Sequence, residues 1–214
     1  HFDTQLLRLG TSPFERGDLC GFGTSASLAQ GSRHGVFVCN TAGAPAGLVT
    51  FPVGDFLQKA SQEVLRQRAL LPCKPGQPER CAVDTGVFSL SPAFVTALLR
   101  WSITARLGSL SVLAATAVSG VNFDFYLEVV SATIPTLQRE KYVAEMSLGG
   151  SKLSRDLLES LHESLHALAL RAAFLDACFL HFGSLLEFAA ASAEVKRLGL
   201  IPFYQALPAF HKAP

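Results

Sequence analysis

In the first third of the chain, short apolar runs alternate with Gly and Ser turns. "HGVFVCN" (34–40), "TAGAPAG" and "LVTFPV" (48–53) read as strand, turn and strand, a β-meander on a larger sheet. From Asp55 the period becomes that of a helix, "DFLQKASQEVLRQRALL" (55–71), with Ser61 as an N-cap candidate and "PCKPGQPER" as the break after it. "CAVDTGVFSLS" (81–91) is a strand with an acidic turn, Asp84-Thr85-Gly86, in its middle, and Pro92 starts the helix "PAFVTALLRWSITARLG". "FDFYLEVVSATI" (123–134) reads as a helix carrying Asp124, Tyr126 and Glu128 and ended by Pro135. A charged stretch with a Gly-Gly break, "REKYVAEMSLGGSKLS", leads into a long helix, "SRDLLESLHESLHALALRAAFL". Its apolar stripe is Leu157, Leu158, Leu161, Leu165, Leu168 and Ala172. A strand "DACFLHFGS" (176–184) then turns into a last helix up to Arg197. Strands and helices in alternation, without internal repeats, predict an α/β sheet with helices packed on its faces.

Composition adds exclusions. A chain of 214 residues that is 49% hydrophobic and only 16% charged has the makings of one domain with a large core. The net charge of +1, with no cluster of Lys and Arg among aromatics, argues against a nucleic-acid partner. The five cysteines are odd in number, spread out and without C-x-x-C, so neither a disulfide framework nor a structural zinc site is expected. A reducing, cytoplasmic compartment suits them. The uncharged run "LGSLSVLAATAVSGVNF" between Arg106 and Asp124 is short for a membrane span and is read as buried core, so no membrane association is expected.

One motif asks for separate treatment. "HESLH" (162–166) fits H-E-x-x-H, in which two histidines on one helix face hold zinc and the Glu activates a water. Such a site needs a third ligand and an open position. A metzincin would continue with Gly and His where this chain has Ala169 and Ala172. A thermolysin-like site would draw on Glu187 or Glu194, yet Glu187 sits in an ordinary amphipathic stretch. A solvated helix face is the preferred reading, with a zinc peptidase using His162, Glu163 and His166 as the rival.

Four pieces in order carry a resemblance over nearly the whole chain: "RHGVFV" (33–38), "FLQKAS" (56–61) with "VDTGVFSLS" (83–91), "FDFYLEVVSA" (123–132) and "FLHFGSLLEF" (179–188). Together they resemble the nucleotidyltransferases that join a sugar 1-phosphate to a nucleotide, and among these the fucokinase/GDP-fucose pyrophosphorylase family. The resemblance implies a Rossmann-like mixed sheet with flanking helices, GTP and a sugar 1-phosphate as substrates, GDP-fucose or a related GDP-sugar as product, and Mg2+ as cofactor. Nucleotidyl transfer is mostly positioning and neutralisation of charge. The resemblance gives Lys59 to the sugar phosphate, although Ala60 stands where the family has Pro; unaided, Lys59 reads as a solvated lysine. Asp84, Thr85 and Gly86 would face the sugar, or else form only a strand-end turn. His34 and Gly35 would line the pocket, or His34 would be a satisfied imidazole. Asp3 would bind the metal, since Mg2+ takes oxygen ligands. His181 stands where related enzymes have a carboxylate and would meet phosphate or a metal-bound water. Asp124 and Glu128 would bind sugar hydroxyls, or cap a helix.

The family's Gly-rich nucleotide loop is not matched. "CGFGTSASLAQG" (20–31) has neither P-loop spacing nor a Lys. The first residue is His1, and the loop is expected upstream of it. Residues 1–214 are thus read as the sugar-binding, C-terminal part of a nucleotidyltransferase domain, with a sugar kinase as a possible fused partner outside the chain. A non-catalytic interaction or regulatory module is the second rival.

Overall fold

The computed structural model describes residues 18–39, 50–119 and 122–175. All of them fall in one unit, His1–Ala177. The expected turn 41–47, the strand 176–184 and the last helix lie outside the described residues, as do Asp3 and His181.

β1 (Leu19–Ser27) is almost wholly buried, although small residues dominate it. Their smallness has a use: a Cβ on Gly21 would stand 2.4 Å from Cζ of Phe37, so the glycine makes room for an aromatic ring across the sheet. Ser27 ends the strand and caps a single helical turn, α1 (Leu28–Gly31), in a capping box with Gln30. β2 (Gly35–Cys39) and β3 (Thr50–Gln58) pair antiparallel, as the meander predicts. β4 (Arg80–Leu90) pairs with both β1 and β2. The last strand, β7 (Leu170–Leu175), lies parallel to β1 and antiparallel to β3. The order β1-β4-β2-β3-β7 therefore closes on itself as a five-stranded barrel.

The α/β class holds, but the described strands form a closed ring where an open Rossmann-like sheet was expected. The cause is β7. By its sequence "LRAAFL" continues the HESLH helix, whose apolar stripe reaches Ala172. Pairing on both sides outweighs that pattern and removes two open sheet edges at once.

The helix expected over 55–71 also divides. Residues up to Gln58 belong to β3, and the helix proper is α2 (Gln62–Arg68), whose first turn is capped by the Ser61 side chain accepting from the Val64 N–H. α3 (Pro92–Thr104) begins at Pro92 as expected, with Ser91 as its cap. Short strands β5 (Arg106–Leu107) and β6 (Leu110–Ser111) form a small hairpin ahead of α4 (Val112–Ser119). The uncharged run was read as buried core, yet Leu113 is 50% and Val118 78% exposed, so α4 is only half covered. Among the described residues no helix is long and apolar enough to cross a membrane.

A π-helix (Phe125–Val130), α5 (Arg139–Leu148) and α6 (Arg155–Leu165) complete the layer. α6 packs against α3 and α5 through Leu157, Leu158, Leu161 and Leu165, all buried. They join Phe37, Phe56, Trp101 and Tyr142 in one contiguous core.

Candidate functional site

The start of β2 and the end of β3 meet beside the middle of β4. Gly35 lies opposite Gln58, and Val36 opposite Val83, so one step further along β4 Asp84 comes level with Gly35. Gly35 is buried, and a Cβ there would stand 2.5 Å from Cζ of Phe56. Lys59 follows β3 directly, with its backbone N–H donating to the His34 carbonyl across 3.1 Å. It is exposed, and among the described residues no carboxylate pairs with it. Its φ of +48° is the single positive value at a described non-glycine residue. Side chains with a Cβ adopt that region at a cost of roughly 1–2 kcal/mol, and such strain clusters at functional positions. The structure thus brings His34, Gly35, Lys59 and Asp84 to one end of the ring.

The Asp84-Thr85-Gly86 turn is a bulge. Gly21 pairs with Phe88 but Gly23 with Asp84, so β4 carries extra residues against β1. The Thr85 hydroxyl donates to the Phe22 carbonyl at 2.7 Å, and the Gly86 N–H donates to Asp84 Oδ1 at 3.0 Å. Gly86 has φ +79°, a value that glycine adopts freely. Asp84 itself is 8% exposed. Burial pushes its carboxyl up to about 6, while hydrogen bonds from the Gly86 N–H and the Tyr126 hydroxyl act in the opposite direction. Tyr126 is pushed up in turn to about 12, first by burial and then by the Asp84 and Asp124 charges.

Tyr126 is the site neighbour that sequence reasoning missed. It stands two residues from Asp124 in a matched piece, but an aromatic at a helical spacing reads as core. Its ring lies near parallel to Phe56, centroids 6.1 Å apart at 14°, and edge-on to Phe88 at 5.8 Å. Phe56 in turn packs on Phe37 at 5.1 Å. Tyr126 therefore sits on an aromatic bed.

Asp124 and Glu128 have other work. Asp124 Oδ1 accepts from the N–H groups of Tyr126 and Leu127, both at 2.8 Å. The Glu128 carboxylate accepts from the Asp124 N–H and from the Ser151 hydroxyl. This is a capping box with the Glu displaced by one residue, as the wider turn of a π-helix requires. Glu128 is 2% exposed, and the helix-cap reading accounts for both carboxylates.

A cavity of about 250 Å3 borders the site through Phe56, Gln58 and Ala60 and takes in Arg68, Lys141 and Leu127. Its cations are held by neighbours, Arg68 by Asp55 and Lys141 by Glu145. A larger cavity, about 410 Å3, opens by α6 and is lined by Trp101, Arg106, Asp156 and Glu163. It lies apart from the converging strand ends, and neither histidine of HESLH lines it.

That geometry weighs against a zinc peptidase. The His162 Nε2–H donates to the Leu137 carbonyl at 2.8 Å, so this nitrogen holds a proton. Burial, ahead of other causes, lowers the His162 pKa. The two imidazoles stack 4.2 Å apart, and His166 Nδ1 is buried without a hydrogen-bond partner among the described residues. Glu163 is exposed. No group of three or more His, Cys, Asp or Glu among the described residues could hold a metal ion. Asp124 and Glu128 are engaged in helix caps.

Two comparisons with known proteins complete the description. The family model described as "Fucose pyrophosphorylase domain" matches residues 3–198. No curated protein matches the chain.

Proposed function

Because the chain belongs to the fucose pyrophosphorylase domain family, we propose that it takes part in guanylyl transfer from GTP to fucose 1-phosphate or a related sugar 1-phosphate. An oxygen of the sugar phosphate attacks the α-phosphorus of GTP. A new P–O bond forms, the bond from that phosphorus to the bridging oxygen breaks, and pyrophosphate leaves. The reaction asks the protein to hold two anions together, which calls for cations and fixed donors more than for covalent chemistry.

The observation that supports this reading is the meeting of Lys59, His34 and Asp84 at one barrel end. Lys59, strained and without a carboxylate partner among the described residues, supplies the cation for the sugar phosphate. Asp84 accepts a sugar hydroxyl, and Gly35, Thr85 and Gly86 shape the backbone against the ligand. Mg2+, which would neutralise the triphosphate, rests in this proposal on Asp3, and phosphate contact on His181, both outside the described residues. The proposed setting is the cytoplasm, with a sugar kinase as a possible fused partner.

The test is release of pyrophosphate by the full chain given GTP, Mg2+ and fucose 1-phosphate. Release that depends on the sugar phosphate and falls at least tenfold in Lys59→Ala is the expected result. Release equal in the variant would take Lys59 out of the site, and none with any sugar 1-phosphate would count against the activity.

A further inference from the structure

We propose that the outer face of α3, the β5–β6 hairpin and α4 is the surface on which two copies of this chain pair about a two-fold axis, a property separate from the sugar phosphate site. Val95, Leu99 and Ile103, four residues apart along α3, form one exposed stripe, with Leu99 50% and Ile103 54% exposed. Leu110 of the hairpin and Leu113 and Val118 of α4 add to it, on elements that pack against α3. Together the six side chains leave on the order of 500 Å2 of apolar surface open. That is near the top of what a monomer shows in one patch, and over half of the roughly 800 Å2 per partner that a stable dimer buries. From Pro92 to Ser119 the charged residues are Arg100 and Arg106 alone, and depletion of charge marks the core of an interface.

The charges at its border select the occupant. Arg106 lines the cavity of about 410 Å3 that Asp156 and Glu163 of α6 also line. Arg100 follows Leu99 on α3 and lies one turn before Thr104, another wall residue of that cavity. All four charged groups are exposed, and none of them forms an ion pair among the described residues. The border thus holds two unpaired cations and two unpaired carboxylates. A partner of a single sign would leave one of these pairs facing like charge. A second copy does not, because an isologous contact lays the patch on itself and brings the arginines of one copy to the carboxylates of the other. In such a contact the apolar stripe carries the affinity, while the charged border sets register and orientation.

Sedimentation velocity of the full chain over a series of micromolar concentrations tests this, with melting temperatures to check that each variant is folded. The wild type should sediment at twice the chain mass. Ile103→Glu places a charge in the stripe at an exposed position, where the fold itself loses little, and should raise the dimer dissociation constant at least tenfold. Arg100→Glu should raise it by about tenfold at low salt and by less at high salt, because exposed charges are screened. Leu148→Glu, at an 89% exposed leucine on α5 outside this face, should leave the dimer as it is. A wild type that stays at single-chain mass overturns the proposal and leaves the face to another occupant. A dimer that survives Ile103→Glu unchanged, or yields equally to Leu148→Glu, overturns it by placing the contact elsewhere. A dimer indifferent to Arg100→Glu at low salt overturns it as well.

Discussion

The backbone N–H of Lys59 donates to the His34 carbonyl across 3.1 Å, and this bond ties the end of β3 to the start of β2. It also holds Lys59 at φ +48°. Asp84, level with Gly35 on the next strand, carries a buried carboxyl. Both residues are placed where the fold would be more stable without them, which is a mark of a site kept for use.

Lys59→Gly separates the two roles of that position. Glycine adopts the conformation freely, so relief of strain, offset in part by the entropy of the unfolded chain, should leave stability equal or up to about 1 kcal/mol higher. Sugar phosphate affinity should fall at least tenfold. Denaturant unfolding and ligand titration of one preparation check both.

Asp84→Asn should raise stability at neutral pH. The folded-state pKa of about 6 lies above the ordinary 3.8, so the folded protein binds the proton more tightly. The stability this gives is full below the ordinary value and is lost as pH rises through about 6. At roughly 1.4 kcal/mol per pKa unit, the ionised group costs on the order of 2–3 kcal/mol at pH 7. The Asn oxygen can still accept from the Gly86 N–H, so a gain of about 1–2 kcal/mol is expected at pH 7 and none at pH 4. Unfolding free energies at the two pH values decide it.

Gly21→Ala should destabilise the barrel. The new methyl would meet Cζ of Phe37 at 2.4 Å, and that ring also packs on Phe56. Overpacking of this kind costs roughly 1–3 kcal/mol. Thermal unfolding should show the loss, and Phe37→Leu in the same chain should recover part of it.

Glu163→Gln tests the peptidase rival. Glu163 is exposed on α6, so stability should stay within about 0.5 kcal/mol and pyrophosphate release should be unchanged. Peptidase activity in the wild type that vanishes in the variant would reopen that rival.

Local signals were legible where they act over a few residues. Ser61 and Pro92 mark helix starts that the structure keeps, because a cap or a fixed φ needs no tertiary help. The bulge at Asp84-Thr85-Gly86 was read as a turn for a similar reason. What sequence could not give is the pairing of distant strands. "LCGFGTSAS" lacks an apolar alternation and "LRAAFL" reads as helix, yet each finds a partner on both sides and together they close the barrel. Tyr126 was missed because its place beside Phe56 and Phe88 comes from packing across the fold, not from its own motif.

The most direct test of the account is calorimetric titration of fucose 1-phosphate, with GTP and Mg2+ present, into the full chain and into Lys59→Ala. Binding to the wild type that weakens at least tenfold in the variant is the predicted result. Equal heats and equal affinity in both proteins would contradict a sugar phosphate site at the Lys59 end of the barrel.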